Sequence, residues 1–131
     1  MTEQSRETEV SWVRLRPDGI VELRYKRDSI QSLEHAKHEV SIIKELLGDR
    51  APAPLLVEVG ASRRQEGEAR HYLVEDPAVA EVISRTALLV RTPISRVLAT
   101  IFTRLQSPTM AVKVFSDEEE AVAWLLEARR Q

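Results

Sequence analysis

The stretch from Thr86 to Phe115 constrains the fold more than any other, because it reads as strand, helix, strand. Thr86-Ala-Leu-Leu-Val90 is an apolar run too short for a helix and long enough for a buried strand. Thr92-Pro93 then opens a helix: a threonine oxygen accepts from a free amide of the first turn, and proline's fixed φ suits the first helical position. Ile94, Val97, Leu98, Ile101, Phe102 and Leu105 recur at helical spacing and form one apolar stripe. Ser107-Pro108 ends the helix, and Met110 to Phe115 is a second strand. Two parallel strands with a crossover helix between them make a βαβ unit.

The remainder hangs on the same pattern. Val10 to Arg16 and Ile20 to Lys26 flank Pro17-Asp18-Gly19, whose proline and glycine supply the backbone angles of a tight turn, so the chain opens with a β-hairpin. Ser32 caps a helix from Leu33 to Leu47, with Leu33, Ala36, Val40, Ile43 and Leu47 on its stripe and Gly48 as its stop. Ala51 to Pro54 is an extended lead-in to a strand from Leu55 to Val59. Gly60 to Gly67 reads as a polar loop, Glu68 to Val74 as a short helix, and Asp76-Pro77 as the start of a further turn or two reaching Ile83. Ser116 with Glu119 is a capping box for a last helix running to about Arg130, with Ala121, Val122, Trp124, Leu125 and Ala128 turned inward.

Alternation along the strands separates their two faces. Val21, Leu23 and Tyr25 oppose Glu22, Arg24 and Lys26; Leu55, Val57 and Val59 oppose Leu56 and Glu58; Val112 and Val114 oppose Ala111, Lys113 and Phe115. Only the run from Leu88 to Val90 is apolar on both sides. The expected fold is therefore α/β: a mixed five-stranded sheet with an N-terminal hairpin and sequential βα units in chain order, its helices mainly on one face. Residues 1–9 are expected as a flexible tail and 10–131 as a single domain. A sheet wound one way has no topological switch point, which removes the usual nucleotide crevice of open α/β sheets. Trp12, Leu56 and Phe115 lie among charges on the face left uncovered and form a candidate interface, expected to join a homodimer.

Composition closes several doors. A formal charge of -2 argues against a general nucleic-acid binder, and the absence of cysteine excludes disulfides, thiolate nucleophiles and cysteine-based zinc sites. No apolar run reaches membrane-spanning length, so no membrane insertion is expected, and a cytoplasmic location is. His35 and His38 share a helix face with Glu34 or Glu39 close by, as in a metal pair, yet both flank the apolar stripe and read as solvated. No catalytic set, metal or cofactor is expected. Loops leaving one edge of the sheet carry Arg27, Ser62, Arg63, Arg64, Arg91, Thr92, Ser95 and Arg96 near helix N-termini, a candidate site for an anion or a phosphorylated partner.

Several pieces, taken with their order, carry a family likeness: Asp18-Gly-Ile-Val21, Leu33-Glu-His-Ala-Lys37, Leu55-Leu-Val-Glu58, Glu68-Ala-Arg70, and Val114-Phe-Ser-Asp-Glu-Glu-Glu-Ala121 followed by Trp124-Leu125. From Val10 onward the chain resembles the STAS-like fold of bacterial anti-sigma-factor antagonists, and more closely a branch of small, mostly uncharacterised bacterial STAS-like proteins. The resemblance implies a non-enzymatic regulatory module that binds a partner protein, with a phosphorylatable hydroxyl just after the third strand. Antagonists carry an aspartate, paired hydroxyl residues and a glycine there, whereas this chain reads Glu58-Val-Gly-Ala-Ser62-Arg-Arg64, which leaves Ser62 as the one hydroxyl. Two other functions fit the architecture: a small-ligand or lipid binder using a pocket between helices and sheet, and an enzyme acting on an anionic substrate at the arginine-rich edge.

Overall fold

A computed structural model of the chain describes residues 4–59, 64–90 and 111–127. In order they form β1 (Ser5–Glu7), β2 (Ser11–Leu15), β3 (Val21–Tyr25), β4 (Ile30–Gln31), α1 (Leu33–Leu47), β5 (Ala53–Val59), β6 (Arg64–Gln65), α2 (Gly67–Glu75), α3 (Pro77–Ala80), β7 (Ile83–Val90), β8 (Ala111–Phe115) and α4 (Glu118–Glu127). The hairpin turns where the sequence places it: Gly19 sits at φ 92°, and Ile20 N donates to Asp18 Oδ1 at 3.1 Å. Ser32 caps α1 in a reciprocal box in which its hydroxyl accepts from His35 N and His35 Nδ1 accepts from Ser32 N at 3.1 Å. Gly48, at φ 58°, ends the helix.

The strands lie in the order β1-β2-β3-β5-β7-β8, antiparallel from β1 to β3 and parallel from β3 to β8. This is the mixed, chain-ordered sheet expected, with six strands rather than five. The added strand, β1, falls in the stretch expected as a flexible tail; the Thr8 hydroxyl turns the chain there by accepting from Ser11 N at 2.9 Å, and Lys26 Nζ meets Glu7 at 2.6 Å. Within the stretch expected as a polar loop after β5, Arg64–Gln65 form β6, which pairs with β4 as a second, two-stranded parallel sheet. Finally, β7 begins at Ile83, so the turn opened by Asp76 and Pro77 is shorter and the strand longer than the sequence suggested.

Two apolar clusters sandwich the sheet. On one side Val13, Leu15, Val21, Leu23, Leu55, Val57, Leu88 and Val90 pack under Val40, Ile43 and Leu47 of α1 and Val79 of α3. On the other, Leu56, Ala87 and Leu89 pack with Ile20 under Ala121 and Leu125 of α4. The expectation that the second face stays uncovered is thus corrected over β5, β7 and β8. The right-handed rule fixes the side of a helix that returns the chain to a parallel neighbour, but α4 follows the last strand and is free to take the other side. Asp117 rather than Ser116 starts it, accepting from Glu119 N at 3.3 Å. Arg85 locks it down: its guanidinium donates to Trp124 O at 3.1 Å and lies 4.4 Å from that indole's centre. The helix expected from Thr92 onward lies outside the described residues.

Candidate functional site

Among the described residues, α4 leaves one part of its face open: the antiparallel wing β1–β3. Register alone arranges what the wing shows. One row across the sheet runs Glu7, Trp12, Arg24, Glu58, Leu89, Phe115; the next runs Ser5, Arg14, Glu22, Leu56, Ala87, Lys113. The right-hand ends of both rows pass under or beside α4, and the left-hand ends meet solvent. Trp12 is 48% exposed, with Lys26 Nζ 5.3 Å from its ring centre. Arg14 pairs with Glu22 at 3.1 Å and Arg24 with Glu58 at 3.2 Å. Arg16 meets Asp18 at 3.0 Å and Glu22 at 3.4 Å, which closes the hairpin end of the patch. The result is an aromatic ring set in a mosaic whose positive and negative groups balance.

Of the proposed interface residues, only Trp12 is on this wing. Leu56 is buried beneath α4, and the Phe115 ring packs against Trp124 with centroids 5.6 Å apart. The three therefore do not form one open patch. Of the anion-site residues, Ser62, Arg63, Arg91, Thr92, Ser95 and Arg96 lie outside the described residues; Arg64 opens β6 and is exposed, and Arg27 is exposed in the turn after β3. Two of the three histidines have local tasks. His35 completes the α1 cap and bonds Glu9, while His71 Nδ1 lies 2.7 Å from Glu75 one helical turn on.

Sequence reasoning missed a buried polar cluster directly behind the wing. Glu39 is 1% exposed, and its carboxyl oxygens accept from Ser11 Oγ at 2.6 Å, Tyr25 OH at 3.1 Å and Gln31 Nε2. Gln31 Oε1 in turn accepts from Gln65 at 2.7 Å, and Ser11 Oγ meets Thr8 Oγ1 at 2.7 Å. The signal was present: Glu39 follows Ala36 by three and precedes Ile43 by four, so it occupies the apolar stripe of α1. The cluster borders a cavity of about 50 Å³ lined otherwise by side chains such as Val40, Ile43, Leu55 and Leu88, room for a few waters.

One group on the helical side titrates abnormally. Burial, with the nearby Asp76 charge second, raises the Tyr72 hydroxyl above its usual pKa of 10.0. Above pH 10 the unfolded chain therefore releases this proton while the native state holds it, and stability falls until the folded value is passed. Urea midpoints measured between pH 9 and 11.5 are expected to decline less steeply in Tyr72→Phe than in wild type; equal slopes would show that Tyr72 is not the source.

Comparison with known proteins agrees with this architecture. No curated protein matches the chain. An uncharacterized protein of the DUF3478 family with a SpoIIAA-like fold, from Shewanella loihica PV-4, superposes with a TM-score of 0.54 at 12% identity, over 92% of this chain and 90% of its own. A protein with unknown function from Arthrobacter sp. FB24 is 26% identical over 92% of this chain and 95% of its own, with a TM-score of 0.33. The fold is STAS-like, as the resemblance implied. A family model, the domain of unknown function DUF7793, matches residues 12–129, and the chain belongs to that family.

Proposed function

We propose that this chain is a regulatory protein-interaction module of the cytoplasm, without chemistry of its own, that docks protein through the β1–β3 wing. The observation that carries the reading is Trp12: a large ring 48% exposed at the centre of a charge-balanced sheet surface that the other described residues leave uncovered. Exposed tryptophan beside arginine is the usual composition of an energetic contact point between proteins. The balance of charge speaks against a polyanionic partner such as nucleic acid. The reading is further supported by the way the described acid-base groups are engaged in structure: Glu39 accepts three bonds, and His35 serves a helix cap.

The test compares three baits in a cell extract: wild type, Trp12→Glu, and Ile30→Glu. Ile30, 49% exposed on β4, is the other exposed large apolar residue among those described and serves as the control. A protein identified by mass spectrometry is expected to be retained by wild type and Ile30→Glu and lost, at least tenfold, with Trp12→Glu. Equal retention by all three baits, or none by any, removes the reading.

A further inference from the structure

We propose that the outer edge of β8 is a second docking surface, which takes an extended acidic segment of a partner protein as an added strand. This edge is distinct from the β1–β3 wing, and an imbalance of charge marks it. The cations of the wing have carboxylates of their own: Arg14 pairs with Glu22, Arg16 with Asp18, Arg24 with Glu58 and Lys26 with Glu7. Arg85 and Lys113, on the α4 side of β7 and β8, pair with no carboxylate among the described residues. Their neighbours are aromatic instead. Arg85 lies 4.4 Å from the centre of the Trp124 ring, and Lys113 Nζ is 6.0 Å from that ring and 5.4 Å from the ring of Phe115. An indole attracts each cation but neutralises neither, so a carboxylate brought beside them gains two favourable contacts and separates two like charges.

The strand itself gives the form of the occupant. β8 is the last of the six strands and pairs with β7 alone, so among the described residues the backbone groups on its outer side have no ladder partner. Such an edge accepts a further strand. Ala111, Lys113 and Phe115 point to the α4 side, and Val112 and Val114 to the other. A strand laid beside β8 sets its alternate residues against these two rows, with directly opposed side chains about 5 Å apart. On the α4 side an acidic residue meets Lys113. Another, two positions away and beside Ala111, faces Arg85, which is registered with Ala111 and is separated from the edge only by that short side chain. On the other side Val112 and Val114 match apolar residues. The segment that fits therefore alternates acidic and apolar residues. A second copy of this chain fits poorly, because two β8 strands paired antiparallel in full register set Lys113 against itself. Nucleic acid fits no better: two cations are a small footprint for a polyanion, and the ladder of a strand edge is completed by peptide groups.

Fluorescence anisotropy of the full chain with a fluorescein-labelled peptide, Val-Glu-Val-Glu-Val-Glu, tests this. A dissociation constant on the order of 100 μM is expected, because one added strand buries far less than the roughly 800 Å² per partner of a standard interface. Lys113→Glu should weaken binding by about tenfold or more and should instead prefer the peptide with lysine in place of glutamate. Lys37→Glu makes the same charge change at an exposed position of α1 and should leave binding as it is in wild type. Matching circular dichroism and melting curves keep misfolding out of the comparison. Two further peptides carry N-methyl groups on every valine amide or on every glutamate amide. Successive peptide groups of a strand point to opposite sides, so one of these peptides should bind and the other should not. No binding at about 1 mM protein, equal loss in Lys113→Glu and Lys37→Glu, or identical behaviour of the two methylated peptides overturns the proposal. Tighter binding of a thymidine oligonucleotide of matching length overturns it in favour of nucleic acid. None of these results bears on Trp12, whose own test is the capture by the three baits.

Discussion

Leu125→Ala is expected to destabilise the protein by about 3 kcal/mol, within the range for removing a fully buried leucine side chain. Leu125 is 0% exposed and sits with Ala121 on Leu56, Ala87, Leu89 and Ile20, so its loss opens a cavity between α4 and the sheet rather than at a mobile edge. For a domain of this size the change corresponds to a fall of roughly 10 °C in Tm. Thermal melts read it, with Ala123→Ser as the control: Ala123 is exposed on the same helix and should move stability by less than about 0.5 kcal/mol. A second readout is tryptophan fluorescence. Trp124 is held by Phe115 on one side and Arg85 on the other, and loosening α4 should shift its emission to the red. A cost under about 1 kcal/mol, with emission unchanged, would mean that α4 is not seated on this face in solution. The apolar surface of β5, β7 and β8 would then be the larger docking site.

How much of this was legible beforehand follows from the range of each cause. Caps, turns and stops are local chemistry, and Pro17 to Gly19, Ser32 and Gly48 marked the hairpin and α1 at the residues where they occur. Strand order followed from the crossover rule, which needs only the sequence of elements. The position of α4 did not, since a terminal helix is bound by no crossover and its side is chosen by the surface available. That surface was visible as the run Leu88 to Val90, apolar on both sides, which demands cover above and below. The short strands β1, β4 and β6 were out of reach for another reason. They carry too few residues to show a period, and they exist because longer-range partners hold them: Lys26 for β1, and the Gln31–Gln65 bond between β4 and β6. The candidate site shows the same division. Alternation placed Trp12 on the outward face, but its exposure depends on where α4 stops.

Glu39→Ala is expected to have the largest single effect, on the order of 4 kcal/mol. The substitution takes the acceptor from Ser11, Tyr25 and Gln31 together, in a place where Glu39 is 1% exposed and Ser11 and Gln31 are 0%. Each buried donor left unpaired costs about 1–3 kcal/mol, which is why the sum exceeds that of an ordinary cavity. Glu39→Gln keeps one carbonyl acceptor, and the Ser11 hydroxyl can turn to accept from the new amide; a cost of about 1–2 kcal/mol is expected for it. Urea denaturation of both variants, with Ser11→Ala and the Glu39→Ala/Ser11→Ala pair completing a double-mutant cycle, measures this directly. A coupling above about 1 kcal/mol is expected, because the two side chains touch at 2.6 Å. The location matters as much as the size. Ser11 precedes Trp12 on β2 and faces the opposite side of the sheet, so the Glu39 bond fastens α1 to the strand that presents the wing's one aromatic ring. Glu39→Ala in mild urea should therefore make the wing's amides exchange with deuterium earlier than those of β7. Equal exchange across the sheet, or additive effects in the cycle, would show that the cluster fills space without fastening the wing.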